Sequence, residues 1–463
     1  MRARPRVIVI GLDSMPPEIA FGVHRDRMPF LAGLCARGTS GPLRSTDPPI
    51  TVPAWVSMTT GRSPAALGLY GFRNRRPGSY ALELASAADV RYPRLWELAA
   101  DAGLGAVAVS VPLTYPPPAH PLICATSCFL TPSGESPYAS PASLKPELEA
   151  RFGPYLVDVE GFRADDKARL VAGCRALSRQ HFAIFRHLLE TRAPSFAMLV
   201  DLGPDRLHHG ALRAALPSHP LHDPGAALTR EVSEYYALLD EEIARTCEAA
   251  GDGALVLVVS DHGVKPLRGS VCVNEWLIRE GYLHLLERPP SPAPLSRCRV
   301  DWSRTRAFGE GGYHARVFFN VRGRDPQGVV PAERLEAERA ELAARAVALP
   351  GPSGERLATR ALTPAELYGP EIPRGFPPDL TIYWDDLARR SAGTIGHGAL
   401  HLPGNDGGPD DANHDFHGIF AMAGGPARAR GRVEGLRVED VFATVVAALG
   451  LEPPAGAGGC SVL

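Results

Sequence analysis

Near-continuous apolar runs that alternate with stretches of helical spacing constrain this chain more than any other feature. RVIVIGLD (6–13), GAVAVSVP (105–112), SFAMLVDLGPD (195–205) and ALVLVVSDHG (254–263) read as buried strands. Between them, MPFLAGLCARG (28–38), YPRLWELAADAG (92–103) and ALTREVSEYYALLDEEIARTCEAAG (227–251) repeat apolar residues at helical intervals and stop at a glycine. Strands and helices in alternation predict an α/β fold, with a largely parallel central sheet and helices on both faces.

After Gly263 the pattern changes. PPSPAP (289–294) is a connector, ARVFFNVRG (315–323) reads as an exposed or edge strand, and PAERLEAERAELAARAVAL (331–349) as a charged helix. These place an inserted lid at 270–395 on a main domain formed by 1–269 and 396–463. GIFAMAGG (418–425) and VEDVFATVVAALGL (438–451) close that domain as a strand and a packing helix. A chain of 463 residues, 45% hydrophobic, can bury the core this requires.

Charge narrows the function classes. With 49 basic and 51 acidic residues, the net charge of −2 offers no general surface for a nucleic-acid polymer or an anionic membrane. No apolar run is long enough to span a bilayer. MRARPRVIVIGLDS begins like a signal peptide, but its apolar run is short and ends at Asp13 without a small-residue cleavage site. A first strand fits better, and with it a cytoplasmic chain. Eight cysteines with no paired metal-ligand spacing around Cys124 and Cys128 are expected as reduced thiols. No feature of the sequence sets an oligomeric state.

Three strands end in, or just before, an aspartate: Asp13, Asp205 and Asp261. Ligands of open α/β sheets bind outside the carboxyl ends of strands, so these can converge, although aspartate is also a common turn and cap residue. Histidines sharpen the pattern. His209 follows Asp205 by four residues, one helical turn, and His262 adjoins Asp261. In GPDDANHDFHGIF (408–420), His414 and His417 precede a strand. His208, His397 and His401 read as structural or supporting residues, and Asp406, Asp410 and Asp411 as a solvated loop that orients ligands. Carboxylate oxygen with imidazole nitrogen suits zinc, or manganese.

STDPPITVPAWVSMTTG (45–61) adds a hydroxyl. Pro48, Pro49 and Pro53 hold the approach extended, Ala54–Thr60 completes two helical turns, and Gly61 stops them. Thr51 then sits at a helix N-terminus, either as its cap or facing a phosphate.

GLDS, TVPAWVSMTTG, DRLHH, SDHG and NHDFHGIF follow one another in an order that resembles the alkaline phosphatase superfamily, in its type I phosphodiesterase/nucleotide pyrophosphatase branch. DWSRTRAF (301–308) and NVRGRDPQGVV (320–330) are similar to segments of bacterial and archaeal phosphohydrolases and phosphomutases. The resemblance implies two divalent metals, zinc or manganese. One is held by Asp13, Asp261, His262 and the Thr51 oxygen, the other by Asp205, His209 and His414. His414 is preferred to His417 because it precedes Gly418 by four residues. Since it comes before its strand, a loop or an oppositely directed strand has to bring it in. Thr51 is then the nucleophile of a phospho-threonine intermediate, with metals roughly 3.5–4 Å apart stabilising the entering and leaving oxygens. A threonine cannot mature to formylglycine, which argues against a sulfatase. Asn74, flanked by Arg73 and Arg75, would bind a phosphoryl oxygen, unless these residues form a solvated turn. The expected partner is a small phosphorylated substrate whose leaving group is not legible. The alternatives are a phosphomonoesterase or phosphomutase on the same site, and a metal-binding protein without turnover.

Overall fold

In the computed structural model, which describes residues 6–463, ten strands form one mixed sheet. They are β1 (Val7–Leu12), β2 (Thr39–Arg44), β3 (Ala106–Val109), β4 (Ile123–Thr126), β5 (Ala139–Ser140), β6 (Phe196–Asp201), β7 (Leu255–Val259), β8 (His417–Gly424), β9 (Gly431–Arg432) and β10 (Leu436–Arg437). Their order is β9-β2-β8-β7-β1-β6-β3-β4-β5, with β10 also on β2. Strands β7, β1, β6, β3 and β4 are parallel neighbours. Every residue of β1, β6 and β7 is buried, as expected of apolar strands covered on both faces. Strand β8 runs antiparallel between β7 and β2.

The helices beside this sheet are α1 (Pro29–Arg37), α2 (Thr51–Thr60), α3 (Lys167–Arg192), α4 (Gly203–Ala215), α5 (Ala227–Ala250) and α6 (Val438–Ala448). Helix α3 packs on α5 and β6, α1 on α5 and β8, and α6 on α2. Met1–Pro5, the start of the segment weighed as a signal peptide, lie outside the described residues. No helix among the described residues is long and apolar enough to cross a membrane.

The packing divides the chain into two units. The first runs to Leu67 and resumes over Ala85–Val264 and Asp415–Leu463, and it contains the ten-stranded sheet. The second comprises Gly68–Leu84 and Lys265–His414. This division differs from the 270–395 insertion read from sequence, chiefly by drawing in 68–84. A two-stranded hairpin, Arg73–Arg75 with Leu82–Leu84, has no core of its own. It gains one inside the second unit, where Tyr80 stacks on Trp302 with ring centroids 3.6 Å apart and Arg75 pairs with buried Asp325 at 2.5 Å.

Four antiparallel strands organise the second unit in the order Ala307–Glu310, Ala315–Phe319, Leu380–Tyr383, Arg360–Leu362. Ala315–Phe319 is not the edge strand its sequence suggests. It lies between two neighbours with every residue buried, among a core that includes Trp276, Phe308, Phe318 and Trp384. The misreading came from Arg316, whose charge mimics a solvent-facing position.

Candidate active site

Strand register sets the site. Gly11 pairs with Val259 between β1 and β7, so two residues further on both chains have reached an aspartate, Asp13 and Asp261. Helix α2 brings the hydroxyl. Its N-cap is Ile50, in extended conformation, and Thr51 is the first helical residue. The capping role is therefore not Thr51's, whose Oγ1 lies 3.4 Å from His262 Nε2. Gly61 ends α2 with φ of 64°, the left-handed stop its sequence position implied. From the next turn of α2, Trp55 Nε1 donates to Asp13 Oδ2 at 2.8 Å. This needs Gly11, because a Cβ there would fall 2.4 Å from the Trp55 ring.

Each carboxylate has one oxygen held and one open. Asp13 Oδ2 is held by Trp55, and Asp261 Oδ1 by the Ser14 backbone N–H at 3.2 Å. Asp13 Oδ1 and Asp261 Oδ2 are buried and accept no hydrogen bond. These open oxygens stand 3.5 and 3.3 Å from His262 Nε2. His262 Nδ1 donates to the Gly263 carbonyl at 3.0 Å, which leaves the Nε2 lone pair facing them. Burial pushes the His262 pKa down to about 4, so the ring is neutral near pH 7. Burial first, then the charge of Asp205, raises the Asp13 pKa well above the usual carboxylate range. For Asp261 the causes are burial and then Asp13.

Two buried carboxylates with open oxygens and no facing cation are costly unless a charge arrives to pair them. The donors fit a metal ion in chemistry and in spacing. Oxygen and nitrogen ligands at about 2.0–2.1 Å on a tetrahedral zinc lie about 3.3 Å from each other, which matches the 3.3–3.5 Å separations around Nε2.

Helix α4 carries Asp205 and His209 one turn apart, both buried, with Asp205 Oδ1 and His209 Nε2 at 3.4 Å. The helical spacing read from sequence holds. Sequence reasoning missed their neighbour Arg206, which pairs with Asp205 Oδ2 and grips Asp158 through Nε at 2.7 Å and Nη2 at 3.0 Å. The arginine is adjacent in sequence, but Asp158 lies 48 residues away in a segment without a pattern. His208 faces elsewhere, bridging Ser14 Oγ at 2.8 Å and the Tyr236 hydroxyl at 2.9 Å, which is the supporting role expected of it.

His414 is the last residue of the second unit and is buried, with the Tyr313 ring stacked on it at 3.5 Å. Arg390 lies over Tyr313 at 4.4 Å and is paired with Asp410. His417 heads β8 opposite Arg44 and is exposed. Asp410 and Asp411 are buried, not part of a solvated loop. Asp406 accepts from the backbone N–H groups of Gly393 and Thr394. His397 bonds to Thr394, and His401 lies in a short strand opposite Val271. Asn74 is buried and shapes a turn, accepting from Tyr70 N at 2.7 Å and donating to the Gly71 carbonyl at 3.1 Å. The Arg73 side chain is exposed.

A hydroxyl, two carboxylates and an imidazole thus meet at the carboxyl ends of the parallel centre of a mixed sheet, the place where α/β sheets bind their ligands. The sequence profile of the type I phosphodiesterase/nucleotide pyrophosphatase family matches residues 7–386. The chain belongs to that family, and with it to the phosphoester hydrolases. Its fold is similar to phosphonoacetate hydrolase from Sinorhizobium meliloti 1021, solved with phosphonoformate and with phosphonoacetate. In both, identity is 19%, TM-score 0.65 and coverage 96% of each chain. It is also similar to murine ectonucleotide pyrophosphatase/phosphodiesterase 5 at 13% identity and TM-score 0.57, over 98% of this chain and 97% of that one. That structure is of an inactive threonine-to-alanine variant in complex with AMP. None of the curated proteins compared matches the chain.

Proposed function

We propose that the protein is a two-metal phosphodiesterase that works through a phospho-threonine intermediate on Thr51. The observation that carries this reading is the convergence of Thr51 Oγ1, Asp13 Oδ1 and Asp261 Oδ2 on His262 Nε2, all at 3.3–3.5 Å. Asp13, Asp261, His262 and Thr51 would hold one ion. Asp205, His209 and His414 would hold the other, a second group of the right composition. Imidazole and carboxylate donors favour zinc, with manganese the alternative. When bound, the two ions supply Lewis-acid stabilisation of the charge that develops on the phosphoryl group and on the entering and leaving oxygens.

The protein's own groups do the rest. Thr51 Oγ1 loses its proton and attacks phosphorus, the bond from phosphorus to one ester oxygen breaks, that oxygen departs with the bonding pair and takes up a proton as the alcohol, and the phosphoryl ester stays on the threonine. Water then attacks the same phosphorus, releasing a phosphomonoester and restoring the hydroxyl. Unpaired N–H groups in the first turn of α2 face the phosphoryl oxygens. Trp55, the Ser14 N–H and the Gly263 carbonyl fix the outer atoms of Asp13, Asp261 and His262, so the inner ones keep their aim. The family description supports the diester over the monoester. Asn74 and Arg73 are proposed to bind a phosphoryl oxygen. Eight free cysteines suit a reducing compartment, and a cytoplasmic site of action belongs to the same proposal.

The test compares bis-p-nitrophenyl phosphate with p-nitrophenyl phosphate, using metal-stripped protein refilled with zinc or manganese. Activity should vanish on stripping, return on refilling and strongly favour the diester. Preference for the monoester would replace the diesterase with a phosphatase or mutase on the same site.

A further inference from the structure

Residues 153–166 join the helix Leu144–Phe152 to α3 with no helix or strand of their own. Ordering a connection of that length costs chain entropy, so specific contacts have to hold it. Helix α3 supplies them. Gln180 accepts from the Leu156 N–H at 2.8 Å and donates to the Phe152 and Pro154 carbonyls at 3.2 and 2.8 Å, and His181 Nε2 donates to the Leu156 carbonyl. Val159 is buried so close to α3 that a Cβ on Gly173 would fall 2.9 Å from it. The segment then crosses α4, where a Cβ on Gly210 would fall 2.6 Å from the Phe162 carbonyl oxygen. All of these residues belong to the first unit.

This strap presents a carboxylate and a ring to α4. Asp158 grips Arg206 through Nε at 2.7 Å and Nη2 at 3.0 Å. Phe162, and Phe129 from beyond the end of β4, lie over the guanidinium with ring centroids at 4.6 and 5.1 Å. The third nitrogen, Nη1, donates to Asp205 Oδ2. Every guanidinium nitrogen therefore meets a carboxylate oxygen, and the residue is 7% exposed. A planar fork engaged on all its nitrogens is fixed in orientation, and it fixes one oxygen of Asp205 in turn. The other oxygen, Oδ1, faces His209 Nε2 at 3.4 Å. Charge acts in the same direction. Asp158 neutralises Arg206, which standing alone would repel a cation from Asp205.

We propose that Asp158 is a positioning residue for metal binding: through Arg206 it fixes Asp205 Oδ2, so that Oδ1 is aimed at the ion that Asp205 and His209 would share. The ion of Asp13, Asp261 and His262 does not depend on it, because Trp55 and the Ser14 N–H hold those two carboxylates. The inference rests on the two-metal reading and adds that the two ions lean on separate supports.

Zinc titration of the full chain against a chromogenic chelator tests this. Wild type should take up two ions, and Asp205→Asn, which loses one, shows which binding step belongs to it. Asp158→Asn, equal in size and without charge, should weaken that step about 10- to 100-fold and the other less than about threefold, with Asp158→Glu recovering part of the loss. Beside Arg206→Met the same Asp158→Asn exchange should have no further effect, since the contact it removes is already gone. Cobalt(II) at full occupancy of that step should show altered visible absorption in Asp158→Asn, which lowered stability alone would not produce. Equal weakening of both steps, an undiminished effect of Asp158→Asn beside Arg206→Met, or an unchanged zinc affinity would overturn the positioning role while leaving the two-metal reading in place. A wild type that took up no zinc would remove that reading, and the positioning role with it.

Discussion

Of the three oxygens at 3.3–3.5 Å around His262 Nε2, two belong to carboxylates whose other oxygen is already engaged, and the third is the Thr51 hydroxyl. This arrangement makes different demands on each residue. Thr51→Ala should lower kcat by about a thousandfold or more, as loss of a nucleophile does, with zinc content near wild type. Trp55→Phe keeps the ring but frees Asp13 Oδ2, and should weaken zinc affinity about 10- to 100-fold in a competition assay. Asp261→Asn should remove the ion held with Asp13 and His262 yet make the metal-free protein more stable at pH 7. The raised folded pKa means that the wild-type carboxyl favours folding below its ordinary value near 4 and loses that favour as pH rises. The stabilising effect of Asp261→Asn should therefore disappear below about pH 4, which urea unfolding at pH 7 and pH 4 would show. Asp13, Asp261 and His262 could be picked out because they lie just past the ends of two apolar runs, in the short motifs GLDS and SDHG. Trp55 could not, because its bond to Asp13 spans 42 residues and nothing in α2 distinguishes it from a core tryptophan.

The apolar runs of β1, β6 and β7 were readable as strands because burial on both faces removes every polar position. Direction was not readable. HGIFAMAG reads the same as a parallel or antiparallel strand, and only its pairing with β7 shows that β8 is reversed. Arg316 had the opposite effect, disguising an interior strand as an edge, because sequence patterns equate charge with solvent. Helix ends give a direct test. Gly61→Ala should destabilise by about 1 kcal/mol or more from its left-handed φ, and further because the new Cβ would meet Phe442 at 2.5 Å. On α3, His181 is buried, bonded to the Leu156 carbonyl at 2.8 Å, and held down to a pKa of about 4. Its folded pKa lies below its unfolded value near 6.5, so the unfolded chain takes up the proton first. Its contribution is complete above pH 6.5 and is lost through the window from 6.5 to 4, on the order of 2 kcal/mol by pH 5. His181→Gln should lose correspondingly less stability than wild type between pH 7.5 and 5 in urea titrations.

For the molecule as a whole, an α/β fold was legible from apolar runs that alternate with helical spacing. The share of 68–84 in the second unit was not, since a short hairpin takes its place from partners such as Trp302 and Asp325 far along the chain. The same separation hides the substrate's leaving group, which depends on residues that only folding assembles. Metal should act on the entire fold. Ions that bind only the folded state add about 2.7 kcal/mol each at a hundredfold excess over Kd. EDTA should accordingly lower the melting temperature and zinc restore it, while Asp261→Asn responds less. The central claim is a covalent intermediate on Thr51, and acid-quenched turnover of bis-p-nitrophenyl phosphate followed by peptide mass spectrometry tests it most directly. The account predicts a nitrophenyl-phosphoryl group on Thr51 of wild type and none in Thr51→Ala. An unmodified Thr51 peptide at every quench time, while p-nitrophenol accumulates and Thr51→Ala stays active, would contradict it.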